Sequence, residues 1–425
     1  MTTELLQQVR VIDPVSGTDQ IADVLIADNY IQAIASHITD VSSDTQIRDC
    51  RGLVLGPGLV DLYSHSGEPG FEERETLCSL LQAAAAGGFT RVSILPNTSP
   101  AIDNPAVVAQ LQKVREREIA SVSSVLPQLQ VWGAMTLDLA GKQLTELADL
   151  ATAGVIGFTD GQPRENLGLV RRVLEYLLPF AKPVAFWACD RQLAVNGVMR
   201  EGADALRFGL PPIPESAETS AIASLLELVA SIGNSHVHIM RVSTARSVEL
   251  IASAKASGLP ITASTTWMHL LLDTKAVKSY HTSLHLDPPL GTPKDMAALR
   301  EGVRTGIIDA IAIDHAAFTY EEKVQAFAEA PPGAIGLELA LPLLWQHLVE
   351  TGEFTALELW RALSTKSAEC LRQKLTALTA NQKAELTLFD PQQSWKVESK
   401  NLHTLSSNTP WLGQQLQGRV VQIWC

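Results

Sequence analysis

Five polar residues close short apolar runs along this chain and could do chemistry together. They are His65 in "GLVDLYSH", Asn97 in "RVSILPN", Asp160 in "GVIGFTD", and Asp314 with His315 in "DAIAID" and the residue after it. An imidazole and two carboxylates can hold a divalent cation, or serve as ligand and general base for a water nucleophile. Other runs end on residues with different chemistry. "PVAFWAC" carries Trp187 and Cys189 before Asp190, and "HVHIMRVS" carries Arg241.

The remaining candidates have blander readings. Cys189 beside Asp190 has no neighbouring His in sequence, so packing is the expected role. His236 and His238 alternate along one run and read as core or hydrogen-bonded residues. His269, His281 and His285 follow no ligand spacing, although they could rebuild a site. Tyr63, Trp187, Trp267 and Phe318 are large rings near these same positions, and they read as filling for a closed cavity.

The elements that would position these groups form a regular pattern. Between residue 55 and about residue 375, eight short apolar runs alternate with amphipathic stretches such as "SVELIASAKASG". Eight strand–helix units predict an α/β fold, a (β/α)8 TIM barrel whose chemistry lies where strands end and loops begin. Both ends of the chain are β-rich. "ADVLIADNYIQAIAS" reads as two strands around an Asp-Asn turn, and "AELTLFDPQQSWKV" as a strand that stops at Asp390-Pro391. Residues 1–54 and 376–425 are therefore expected to build one small β-sandwich domain, with the barrel over 55–375.

Composition sets outer limits. The 425 residues are 46% hydrophobic and 19% charged, which suits a large buried core. The net charge of −13 carries no basic cluster, which argues against nucleic acid and anionic membranes as partners. "MTTELLQQVRVIDP" lacks the basic segment and apolar run of a secretory leader, and five scattered cysteines suit reduced thiols. A cytoplasmic protein is expected.

Eight segments in order resemble the dihydroorotase family of the amidohydrolase superfamily. They are "PGLVDLYSHSGEPGFEERET", "AAAAGGFTRVSILPNTSP", "GVIGFTDGQP", "HIMRVSTARSVELI", "DPPLGTPKDMAALREG", "AIDHAAFTYEEK", "GAIGLELALPLL" and "AELTLFDP". The resemblance implies one or two divalent cations held by an HxH pair, an acid or modified Lys, two further His and an Asp. It places the HxH pair on Tyr63 and His65, the acid on Asp160, the two His on Trp187 and Arg241, and the last Asp on Asp314. The remnant ligand set is thus His65, Asp160 and Asp314, with Tyr63, Trp187 and Arg241 substituted.

On the substrate side Asn97 survives. Gly67 and Gly291 stand where the family has arginines, Asp287 replaces an Asn, and Phe318 replaces a His. An indole offers no lone pair to a metal, and a guanidinium only donates hydrogen bonds. At contact distance Arg241 would repel a dication by several kcal/mol even at an effective dielectric of ~20.

These substitutions predict a degenerate, non-catalytic dihydroorotase-like protein with no cofactor. They also predict that Arg241 takes the place of the metal by pairing with Asp160, Asp314 or both. The family's inactive members imply a structural role beside aspartate transcarbamoylase in pyrimidine biosynthesis, or self-association. Two alternatives keep activity: a dihydroorotase using zinc on a reduced site with Asp314 as acid/base, and an amidohydrolase with a rebuilt site.

Overall fold

The computed structural model describes residues 3–121, 125–374 and 377–425. Its largest sheet has eight parallel strands: β1 (Leu59–Ser64), β2 (Phe89–Ile94), β3 (Gln128–Gly133), β4 (Gly157–Phe158), β5 (Val184–Trp187), β6 (Val237–Met240), β7 (Ile261–Thr266) and β8 (Ala310–Ala312). They pair in sequence order, as right-handed strand–helix–strand units require. The circle closes at the mouth, where the Asp314 amide donates to the Tyr63 carbonyl at 3.1 Å and the His65 amide to the His315 carbonyl at 2.7 Å. Buried Asp61 reinforces that seam by accepting from the Ile313 amide at 3.2 Å and from Ser64 Oγ at 2.6 Å.

Large and small side chains interlock inside the barrel. Tyr63, Trp132, Trp187 and Met240 share the interior with Ala185, Ala310 and Ala312. Trp132 satisfies its indole N–H on the Leu62 carbonyl at 2.9 Å, which permits so large a ring in a closed space. The outer faces of the strands and the surrounding helices form the main hydrophobic core.

Both termini contribute to a seven-stranded mixed sheet that forms the β-sandwich domain. Strands Thr18–Ala27 and Tyr30–Ala35 join through Asp28 and Asn29, both at positive φ (52° and 61°), the geometry of a two-residue hairpin. Strand Val54–Pro57 also lies in this sheet, between Thr3–Asp13 and Leu386–Lys396, and leads directly into β1. The expected stop at Asp390-Pro391 is instead an irregularity within a strand that continues to Lys396. Register shifts between Asp390 and Ser394, and this lets the proline sit in a gap in the ladder. No helix among the described residues is long and apolar enough to cross a membrane.

Candidate functional site

The strand ends converge on a cavity of about 200 Å³ at the barrel mouth, lined by His65, Asn97, Trp187, Arg241, His269, Asp287 and Asp314 among others. Arg241, 4% exposed, dominates it. Its Nε and Nη2 donate to the two carboxylate oxygens of Asp314 at 2.8 and 2.6 Å, a two-pronged pair of the kind planar guanidinium favours. Nη2 also lies 3.2 Å from Nε2 of His65, and Nη1 reaches the Gly161 carbonyl at 3.5 Å. Burial pulls the Arg241 pKa down, but the adjacent Asp314 reverses this and holds it above its ordinary value. Arg241 and Asp314 both leave their strands at positive φ (56° and 52°), a rare state for non-glycine residues that concentrates at functional sites.

His65 is held in one orientation. Its Nδ1 is 2.7 Å from the Asn97 amide nitrogen, while Asn97 Oδ1 is buried without a partner. Exchanging the two amide atoms lets Oδ1 accept from Nδ1–H, and the Nε2 lone pair then faces Arg241. Burial pushes the His65 pKa down to about 4, with Arg241 adding to the effect and Asp314 opposing it. The imidazole is therefore neutral and aims its lone pair at a guanidinium.

Tyr63 and Trp187 carry structural work. The Tyr63 hydroxyl accepts from the Arg241 backbone N–H at 3.1 Å and bonds Ser264 Oγ at 3.0 Å. Ser264 bonds His238 at 2.9 Å, and His238 bonds Thr262 at 2.9 Å, completing a chain across the barrel interior. Burial raises the Tyr63 pKa, so the phenol keeps its proton. Two guanidinium groups approach the Trp187 ring, Arg241 at 4.5 Å and Arg191 at 4.7 Å from its centre. Both interactions are of the cation–π kind.

Asp160 does not join this cluster. It is fully buried, accepts from the amides of Met135 and Thr136 at 2.8 and 3.1 Å and from Thr136 Oγ1 at 2.9 Å, and lies 2.9 Å from Arg164 Nε. Arg241 thus pairs with Asp314 alone. The expectation that Arg241 would reach one or both acids holds for one, because Asp160 finds its partners in the adjoining loop.

Gly67 and Gly291 are closed by sterics. A Cβ at Gly67 would lie 2.3 Å from the Glu75 carbonyl oxygen and 2.6 Å from that of Phe71. At Gly291 it would lie 2.6 Å from Asp295 Cβ and 2.9 Å from the Ser243 carbonyl oxygen. Neither backbone has room for an arginine. Asp287 pairs with Arg191 at 2.8 Å, which balances its carboxylate. Phe318 packs against the cations of Arg74 and Lys323 at 5.1 and 5.0 Å.

The other sequence candidates hold the scaffold. His315 accepts from the Gly336 amide at Nδ1 (3.1 Å) and donates from Nε2 to buried Glu75 (3.1 Å). Glu75 also accepts from Thr404 Oγ1 and the Leu405 amide, tying the barrel mouth to the C-terminal segment. His269 bonds Thr266 and the Pro289 carbonyl, and His285 the Ala330 carbonyl. His281 caps a short turn by accepting from the Ser283 amide. His236 is exposed just before β6. Asp190 caps the helix Arg191–Ala194, and burial pushes the Cys189 thiol up to about 11, away from nucleophile duty.

Sequence reasoning missed Arg191, Ser264 and Arg164. Nothing near them in sequence signals a role. It also missed Asn408, whose amide donates to the Ala316 carbonyl at 2.9 Å, and Trp411, whose ring lies 5.1 Å from that of Trp267.

The converging groups do not fit a divalent cation. One imidazole and one carboxylate remain, and a guanidinium occupies the space between them. Among the described residues no group of three or more His, Cys, Asp or Glu could hold a metal ion.

A (β/α)8 barrel joined to a β-sandwich from both termini, with its site at the strand ends, defines an amidohydrolase-type architecture. An L-hydantoinase (dihydropyrimidinase) from Arthrobacter aurescens has the same fold, with a TM-score of 0.82 over 98% of this chain and 93% of that one at 22% identity. A family model described as dihydro-orotase-like matches residues 52–247. A probable dihydroorotase-like protein of Synechocystis is 45% identical over 99% of both chains. A dihydroorotase of Pelotomaculum thermopropionicum is 38% identical over 97% of this chain and 95% of its own. The chain belongs to the dihydroorotase-like family of the amidohydrolase superfamily.

Proposed function

We propose that this family member is non-catalytic and serves as a structural component, with aspartate transcarbamoylase as its expected partner. The observation that carries the first part is the fork of Arg241 on Asp314, beside the Nε2 lone pair of His65. A fixed monocation stands among the groups that a dication would need, so no activated hydroxide forms there. The closed backbones at Gly67 and Gly291 support the same reading independently, since they remove the arginine forks suited to an anionic substrate. The partner rests on family resemblance alone, and localisation in the cytoplasm belongs to the same proposal.

Metal analysis of the purified protein combined with a dihydroorotate turnover assay tests the non-catalytic reading. The expected result is sub-stoichiometric zinc and no turnover. Stoichiometric zinc with turnover establishes an active dihydroorotase instead. Copurification from extract tests the partner, and a transcarbamoylase absent from the eluate removes it.

A further inference from the structure

A groove of about 440 Å³ runs along one end of the seven-stranded sheet, where Gln415–Trp424 is the last strand and pairs with Leu386–Lys396 on one side only. Five consecutive residues of that strand, Arg419 to Ile423, line it. Val420 packs on the main core and Val421 on the core of the small domain, so their side chains point to opposite faces. One groove can touch both faces in succession only along the strand's outer edge. Among the described residues, no backbone group of these five bonds outside the ladder. The rest of the lining comes from the last turn of helix Leu77–Ala86, where Ala85 and Ala86 are small, and from Val125 and His403.

The lining carries no carboxylate. Arg419 is half-buried, lies 5.0 Å from the centre of the Trp395 ring, and has no ion pair or side-chain hydrogen bond among the described residues. None of its nitrogens is enclosed without a partner. Glu338, which feels its charge, is buried and already accepts from the amides of His403 and Thr404 at 2.8 and 3.2 Å. Burial and Arg419 together depress the His403 pKa, so Arg419 is the fixed charge of the groove.

We propose that this edge takes up an extended acidic segment of a partner protein as an added strand. The segment's backbone bonds to the open edge of Arg419 to Ile423, and one of its carboxylates pairs with Arg419. Natural proteins blunt open edges with Lys or Pro, and Gln415–Trp424 contains neither. A bulge at Val421 twists the edge without covering it. Charge selects the occupant: a second copy of this edge brings another arginine, whereas an acidic segment supplies the missing carboxylate. This surface is independent of the non-catalytic reading of the mouth.

The probe is a dye-labelled hexapeptide, Glu-Val-Thr-Val-Glu-Val, titrated onto the full chain at physiological salt and read by fluorescence anisotropy. It is expected to bind saturably and about 10-fold more tightly than the neutral Gln-Val-Thr-Val-Gln-Val, the worth of one charge-assisted pair. The chain's net charge of −13 opposes non-specific attraction of an acidic peptide, so a preference for it reports the groove. N-methylation of alternate residues blocks one edge of the peptide, and of its two phases one is expected to abolish binding and the other to keep it. Ala85→Trp fills the groove and is expected to abolish binding. Arg419→Gln is expected to erase the preference for the acidic peptide and serves if the first variant unfolds. The proposal is overturned by no saturable binding, by the neutral peptide matching the acidic one on the unsubstituted protein, by both N-methylated forms binding like the parent, or by binding that survives Ala85→Trp or a preference that survives Arg419→Gln. A dimer in sedimentation that Ala85→Trp dissolves also overturns it, because the edge then belongs to a second copy.

Discussion

Arg241 and Asp314, 73 residues apart, meet as a two-pronged ion pair with Nε–Oδ2 and Nη2–Oδ1 separations of 2.8 and 2.6 Å. The pair lies in a mouth where the arginine is 4% exposed, so each charge depends on the other for compensation. Arg241→Met leaves the carboxylate unmatched and is expected to destabilise the fold by about 3 kcal/mol. Arg191→Ala breaks a neighbouring pair whose side chains are 38% and 21% exposed, and is expected to change stability by no more than ~1 kcal/mol. Urea denaturation of both variants checks the contrast. Equal effects would show that burial of the Arg241 pair has been misjudged.

Placing imidazoles at three mouth positions separates metal binding from catalysis. Tyr63→His, Trp187→His and Arg241→His together remove the guanidinium and supply nitrogen donors around His65 and Asp314. The triple variant is expected to bind zinc at least 100-fold more tightly than the parent, read by equilibrium dialysis and elemental analysis. Dihydroorotate turnover is expected to stay undetectable, because Gly67 and Gly291 still exclude an arginine on the substrate side. Measurable turnover would contradict that second half.

Gly67→Arg tests the steric claim directly. The new Cβ meets two carbonyl oxygens within 2.6 Å, so the loop from Gly67 to Glu75 must move. Overpacking of this kind is expected to destabilise by ~2–3 kcal/mol. The melting temperature reports it, and an unchanged value would mean that the loop yields freely.

Acid should weaken the fold through its buried histidines. Burial holds His238 down at about 3, and His65 and His269 at about 4. The folded imidazoles stay neutral while the unfolded chain takes up protons below ~6.5, so their contribution is full above that pH and is lost as pH falls toward 4. Asp61, which burial raises to about 7, acts in the opposite sense: its contribution is full below ~3.8 and is lost as pH rises through 7. His238→Gln removes one depressed histidine. Its stability is expected to decline less steeply than the parent's between pH 6.5 and 4.5 in urea titrations, and parallel slopes would assign the acid sensitivity elsewhere.

The eight barrel strands were legible because each is a short apolar run ending at a polar residue, a signal that survives without knowledge of neighbours. The strand through Asp390-Pro391 was misjudged at its end, since a proline is read locally while a ladder gap depends on the opposing strand. The candidate site divided in the same way. His65, Asn97, Arg241 and Asp314 stood out by type and position, and the fold brought them together.

What the sequence determined alone was therefore the barrel, the family, and the kinds of donor each mouth residue brings, because residue identity sets which atoms can offer a lone pair. Tertiary structure decided the pairings. It gave Asp314 to Arg241 and Asp160 to Thr136 and Arg164, set Arg191 against the ring of Trp187, and closed the backbone around Gly67 and Gly291. Hydrogen bonds and steric contacts act over about 3 Å between groups far apart along the chain, and only folded coordinates bring those distances into being.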